Sequence, residues 1–150
     1  LPCGVGEPMF DGLENRISQA VFAIPAVKGI EFGDGFKLSE LKGSEARDEY
    51  VASDGKIALT SNHNGGILGG ISTGEAVNFR VCIKPTPSIS IPSKSVSYSR
   101  GENVELKISG RHDPCIALRA VPCVEAAAAI AVLDLMLGDI NFSGRFVFND

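Results

Sequence analysis

The chain has 150 residues, 44% of them hydrophobic and 21% charged, with a formal net charge of −4. That length and balance suit one domain with its own core and argue against disorder. They give bulk electrostatics no pull on nucleic acid, while leaving room for a local basic pocket.

The chain opens at Leu1, not Met, in a Gly/Pro-rich phrase unlike a natural start, so a processed or truncated polypeptide is expected. Asp11 is placed to cap a helix, with Glu14 completing a capping box. Leu13, Ile17, Ala20, Val21 and Ile24 recur at helical spacing and predict an amphipathic helix over about 12–24, ended by Pro25. Residues 27–32 predict a short strand closed by Gly33-Asp34-Gly35. Residues 36–56 are polar and weakly patterned, either a solvated loop with a helical turn or a flap that orders over a ligand. Short strands are expected at 57–60, 77–83 and 104–108, and a weaker one around Val96 and Tyr98, where Pro92 marks an edge.

Residues 122–137 are apolar apart from Glu125 and Asp134. They predict a core helix with Pro122 as its first residue, too short and too charged to span a bilayer. Cys3, Cys82, Cys115 and Cys123 show neither a Cys-x-x-Cys pair nor a zinc spacing. They read as small buried hydrophobes; no metal site is expected, and a reducing cytoplasm is the default location. Few helices and several hairpin-like strands predict an α+β fold, helices packed on antiparallel sheet, as one domain over 1–150.

Three segments carry chemistry. Five glycines between 65 and 74 lie in Asn62-His63-Asn64-Gly65-Gly66-Ile67-Leu68-Gly69-Gly70-Ile71-Ser72-Thr73-Gly74, which fits neither a Walker A loop nor a dinucleotide fingerprint. Close approach of a flat ligand to the backbone is favoured over turn formation alone, and His63 reads as a hydrogen-bonded loop residue. Lys84-Pro85-Thr86-Pro87-Ser88 ends a strand with a cation and two hydroxyls held by rigid prolines. It is either an ordinary solvated strand end or a phosphate or cofactor cradle. Finally, Arg111, His112, Asp113 and Arg119 precede the apolar helix. They predict a buried, anion-friendly corner, or else an ion pair that tethers the helix start.

Five segments, in order, resemble chorismate synthase. They are Gly4-Val-Gly-Glu-Pro-Met-Phe-Asp11, Ile24-Pro-Ala-Val-Lys-Gly-Ile-Glu-Phe-Gly33, Ser61-Asn-His-Asn-Gly-Gly-Ile-Leu-Gly-Gly-Ile-Ser72, Lys84-Pro-Thr-Pro-Ser-Ile89 and Arg111-His-Asp-Pro-Cys115. The resemblance implies half of a sandwich in which helices lie between antiparallel sheets. It implies a homotetrameric carbon–oxygen lyase of the shikimate pathway of aromatic amino acid biosynthesis. Such an enzyme makes chorismate from 5-enolpyruvylshikimate 3-phosphate by 1,4-anti elimination of phosphate, using reduced FMN with no net redox change.

By the same resemblance, Pro25 and Ala26 would offer FMN contacts and Gly69 would let the backbone approach the flavin. Lys84, Pro85, Thr86, Pro87 and Ser88 would hold the cofactor. Arg111 would lie between cofactor and substrate, and Asp113 would assist the proton transfer. Pro87 stands where many relatives have serine, and Pro25 where many have asparagine. Family members are roughly twice this length. The family's Gly-Glu-Ser-His-Gly and Arg-Ala-Ser-Ala-Arg-like segments are missing, so neither His63 nor His112 inherits a catalytic role. The chain thus resembles a C-terminal portion, expected to be inactive without the N-terminal half, and residues 138–150 carry no assignment. A non-catalytic binding or assembly module on the same fold is the alternative, and a phosphate-sugar enzyme outside this family a more distant one.

Overall fold

The computed structural model describes residues 1–53, 55–111, 113 and 115–138. Asp54, His112, Pro114 and the assignment-free segment 139–150 lie outside the described residues.

A 3-10 turn at Met9–Asp11 leads into α1 (Leu13–Phe22). Leu13, Ile17 and Val21 repeat every four residues on one helix face, and all three are completely buried. Gly12, not Asp11, is the N-cap, and no side chain caps the helix. The orphan amide of Leu13 instead donates to the Gly70 carbonyl at 2.8 Å. Backbone from a distant hairpin therefore replaces the capping box that the sequence suggested.

The strands are β1 (Val27–Phe32), β2 (Tyr50–Ser53), β3 (Lys56–Leu59), β4 (Ile67–Leu68), β5 (Ile71–Ser72), β6 (Phe79–Ile83), β7 (Ser93–Ser97) and β8 (Glu102–Leu106). Among the described residues they form four antiparallel two-stranded ribbons, β1–β6, β2–β3, β4–β5 and β7–β8. The polar stretch after β1 is part ordered: a 3-10 turn spans Gly35–Glu40, and Tyr50–Ser53 is a strand where a loop was expected.

Ribbon β1–β6 packs Ile30, Phe32, Phe79 and Val81 against α1, with the Phe32 and Phe79 rings 5.6 Å apart. The opposite helix, α2 (Ala117–Gly138), brings Val124, Ala127, Ala128, Ala131, Val132 and Leu135 to the same core. The chain thus stacks ribbon, α1 and α2 in layers.

α2 departs from its sequence reading in three ways. It starts five residues before Pro122, which sits inside it. At 22 residues, with an 18-residue stretch of mean hydropathy 2.0, it is long and apolar enough to cross a membrane by length and composition alone. And it is a core helix on one side only: Leu118, Val121, Ile130, Leu133 and Leu137 are 51–79% exposed. Its inner side packs on α1, and Asp134 forms an ion pair with Arg16 of that helix.

The cysteine reading is also corrected. Cys3, Cys82, Cys115 and Cys123 are all free and exposed. Cys82 sits on the outer face of β6, in the opposite pleat to Val81.

Candidate functional site

Two of the predicted cofactor segments meet at one end of ribbon β1–β6. Antiparallel pairing sets Val27 opposite Ile83, so Pro25-Ala26 enters the ribbon beside the exit of Lys84. The Lys84 amide donates to the Ala26 carbonyl at 2.7 Å. Ala26 has φ 71°, a left-handed conformation that costs alanine about 1–2 kcal/mol. Pro25, Lys84, Pro85 and Pro87 are exposed, while Thr86 and Ser88 are half-buried. The Thr86 Oγ1 is buried with no hydrogen-bond partner among the described residues. Such a hydroxyl costs about 1–3 kcal/mol unless something outside the described residues pairs with it. The segment therefore has the chemistry of a cradle: an exposed cation, two hydroxyls and a backbone held by prolines.

The glycine segment divides by cause. A Cβ on Gly65 would overlap the backbone of Gly33, one on Gly66 the Ala76 carbonyl, and one on Gly70 the Glu7 carbonyl. Those three are glycine because the chain crosses itself there. Gly69, at φ 62° in the turn between β4 and β5, faces open space. It alone of these four matches the predicted open approach of a ligand to backbone.

The predicted Arg111/Asp113 corner is not formed as a buried pair. Arg111 is exposed, and Asp113 takes a hydrogen bond from Arg119 Nη1 at 2.6 Å. This is the helix-tethering ion pair, with Arg119 in the first turn of α2. The expected burial fails because the outer face of α2 is itself uncovered. His112 lies outside the described residues.

The residues that sequence reasoning missed surround Asp48. Its Oδ1 accepts from Ser61 Oγ (2.6 Å) and the His63 amide (2.8 Å). Its Oδ2 accepts from the Asn64 amide (3.1 Å) and Asn64 Nδ2 (2.8 Å). Partial burial pushes this carboxyl up, but the bonds from Ser61, His63 and Asn64 together outweigh it and hold the pKa at about 2. His63 Nδ1 lies 2.7 Å from Asp34 Oδ2, and that bond is the main reason the Asp34 carboxyl is held below its usual range. The Asp34 amide in turn donates to the His63 carbonyl at 2.9 Å. His63 is thus the hydrogen-bonded loop residue that the sequence suggested. No short-range pattern announces Asp48, because its partners lie 13–16 positions away.

A cavity of about 480 Å³ lies elsewhere, lined by Gly4, Gly6, Glu7, Asp11, Arg16 and Asp134 among others. It holds none of the predicted site residues, and its cation is already engaged: Arg16 pairs with Asp11 at 3.7 Å and with Asp134.

Comparison with known proteins bears on the whole chain. A profile of the chorismate synthase family matches residues 1–137. The chorismate synthase of Archaeoglobus fulgidus is 50% identical over 137 residues, 91% of this chain and 38% of that protein. The Lancefieldella parvula enzyme is 52% identical over 136 residues, 91% of this chain and 36% of its own length. The Opitutus terrae enzyme is 45% identical over 148 residues, 99% of this chain and 40% of that protein, so its match runs past the family profile into the final segment. A crystal structure of chorismate synthase superposes with TM-score 0.70 at 30% identity, covering 91% of this chain and 34% of that one. The chain therefore spans well under half the length of these relatives, less than the half that its motifs suggested. With the five motifs, the α+β fold and the family profile in agreement over nearly all of its length, the chain belongs to the chorismate synthase family.

Proposed function

We propose that this chain supplies part of the FMN and substrate site of a chorismate synthase. In that reaction 5-enolpyruvylshikimate 3-phosphate loses phosphate by 1,4-anti elimination. The observation that carries the reading is the convergence of Pro25-Ala26 and Lys84–Ser88 through the Lys84–Ala26 backbone bond, beside a Thr86 hydroxyl with no partner among the described residues.

These residues fit a flavin mononucleotide. The Lys84 ammonium suits a phosphate, the Thr86 and Ser88 hydroxyls can donate to phosphate or ring oxygens, and the open backbone at Gly69 admits a flat ring. Reduced FMN, when bound, supplies transient electron density to the substrate without net redox change. Arg111 is assigned the substrate or cofactor anion and Asp113 the proton-handling role. In the described arrangement Asp113 is committed to Arg119, so assembly of the site requires the tether to open or the missing portion to reposition the segment. Homotetrameric assembly and a cytoplasmic location belong to the same proposal.

The test is a titration of the 150-residue chain with reduced and oxidised FMN, read by flavin fluorescence, beside a phosphate-release assay. Binding that weakens about tenfold in Lys84→Ala, with no phosphate released, supports a partial site. Phosphate release by the chain alone contradicts the expected dependence on a missing portion. Absence of binding under all conditions favours a non-catalytic module on the same fold.

A further inference from the structure

Asp48 comes from the polar segment between β1 and β2, outside every segment that carries the family's motifs. Its environment is that of a built anchor. All four donors it accepts come from the stretch Ser61–Asn64, two on each oxygen. A carboxylate offers about four acceptor sites and no donor, so its capacity is filled. An asparagine at the same place would turn an NH2 toward two existing donors.

What Asp48 holds leads directly into ribbon β4–β5. The anchored stretch continues through Asn62, whose Oδ1 accepts the Gly66 amide at 2.5 Å and whose Nδ2 donates to the Ala76 carbonyl at 2.8 Å. The Gly65 carbonyl takes the Asn78 amide (3.1 Å) and the Gly66 carbonyl takes the Thr73 amide (2.9 Å). Asp48 also shares a cavity of about 140 Å³ with Asn64, Leu68 and Thr73, so it reaches both the base and the flank of the ribbon. On the far side, Asp34 grips the His63 ring.

From this geometry we infer that Asp48 is a positioning residue for the Gly69 turn, holding its open backbone at a fixed place and angle for the cofactor. The inference rests on the reading that Gly69 faces the flavin. It turns the polar segment 36–56 from a solvated loop into the support of the site.

The experiment compares the unsubstituted chain with Asp48→Asn, and with Ser61→Ala as a milder variant. Hydrogen exchange is followed amide by amide, and FMN affinity is measured in parallel. In Asp48→Asn the His63, Asn64, Gly66 and Thr73 amides should exchange at least about tenfold faster while those of α1 and of ribbon β7–β8 keep their protection. FMN affinity should fall about tenfold. Ser61→Ala should shift both in the same direction by less, and it decides the matter should Asp48→Asn fail to fold. Gly69→Ala separates the two roles: it should weaken FMN without speeding exchange at His63 and Asn64. If the unsubstituted chain binds no FMN, the flavin reading fails and exchange alone decides the anchoring. Unchanged exchange and unchanged affinity in Asp48→Asn overturn the inference.

Discussion

A single carboxylate can be tested by acid. Asp48 has a pKa of about 2 in the folded chain against an ordinary value of 3.8. A depressed folded pKa stabilises the fold above the unfolded pKa and ceases to do so as pH falls through the folded one. Its contribution is therefore complete above about pH 5 and disappears between about pH 4 and pH 2, with Asp34 acting in the same direction. Thermal melts across that range should show the loss, and Asp48→Asn should be less stable at neutral pH yet show less of the acid-dependent fall. The glycines give a second contrast. Gly66→Ala combines φ 80° with a clash against Ala76 backbone and should cost more than about 2 kcal/mol. Gly69→Ala meets open space and should cost only the left-handed backbone, about 1–2 kcal/mol, by chemical denaturation. At this scale the sequence was half legible. Glycine density signalled unusual backbone, but only the fold separates chain crossing at Gly65, Gly66 and Gly70 from an open turn at Gly69.

Helix α1 was legible because its apolar period matched its burial, Leu13, Ile17 and Val21 on one face. Its cap was not, since the partner carbonyl of Gly70 comes from a hairpin far along the sequence. Helix α2 was recognised as apolar but misplaced at its start, because apolar residues lie on all sides and periodicity could not locate an end. Pro122 sits in its second turn, where it removes one helical hydrogen bond. The α1–α2 contact makes sharp predictions. Ile17→Ala should cost about 2–5 kcal/mol and Ala131→Leu about 1–3 kcal/mol, one by opening a cavity and the other by overfilling the contact. Asp134→Asn should cost at most about 1 kcal/mol, because the Arg16 and Asp134 side chains are 35% and 62% exposed. Urea titrations of the three variants rank them directly.

The whole molecule presents an uncovered apolar wall along the outer side of α2, from Leu118 to Leu137. Contiguous apolar surface of that kind drives association. Sedimentation velocity should show concentration-dependent self-association of the chain, and the pair Ile130→Glu with Leu133→Glu should reduce it while leaving the helical signal intact. Burial of the Arg111/Asp113 segment was illegible from sequence for the same reason: an apolar helix implies a cover without saying whether the same chain provides it. Pairing of β1 with β6 has a further consequence, in time. Val27 meets Ile83 only after the intervening chain has doubled back, and Val5 meets Ser72 across a still longer arc. Ribbons β2–β3 and β4–β5 close locally and within microseconds, shortening the arc before the ring shuts. The contact that brings Lys84 to Ala26 closes only after those ribbons have formed, so a nascent chain can acquire its cradle only once synthesis has passed Ser88, well before α2 is made.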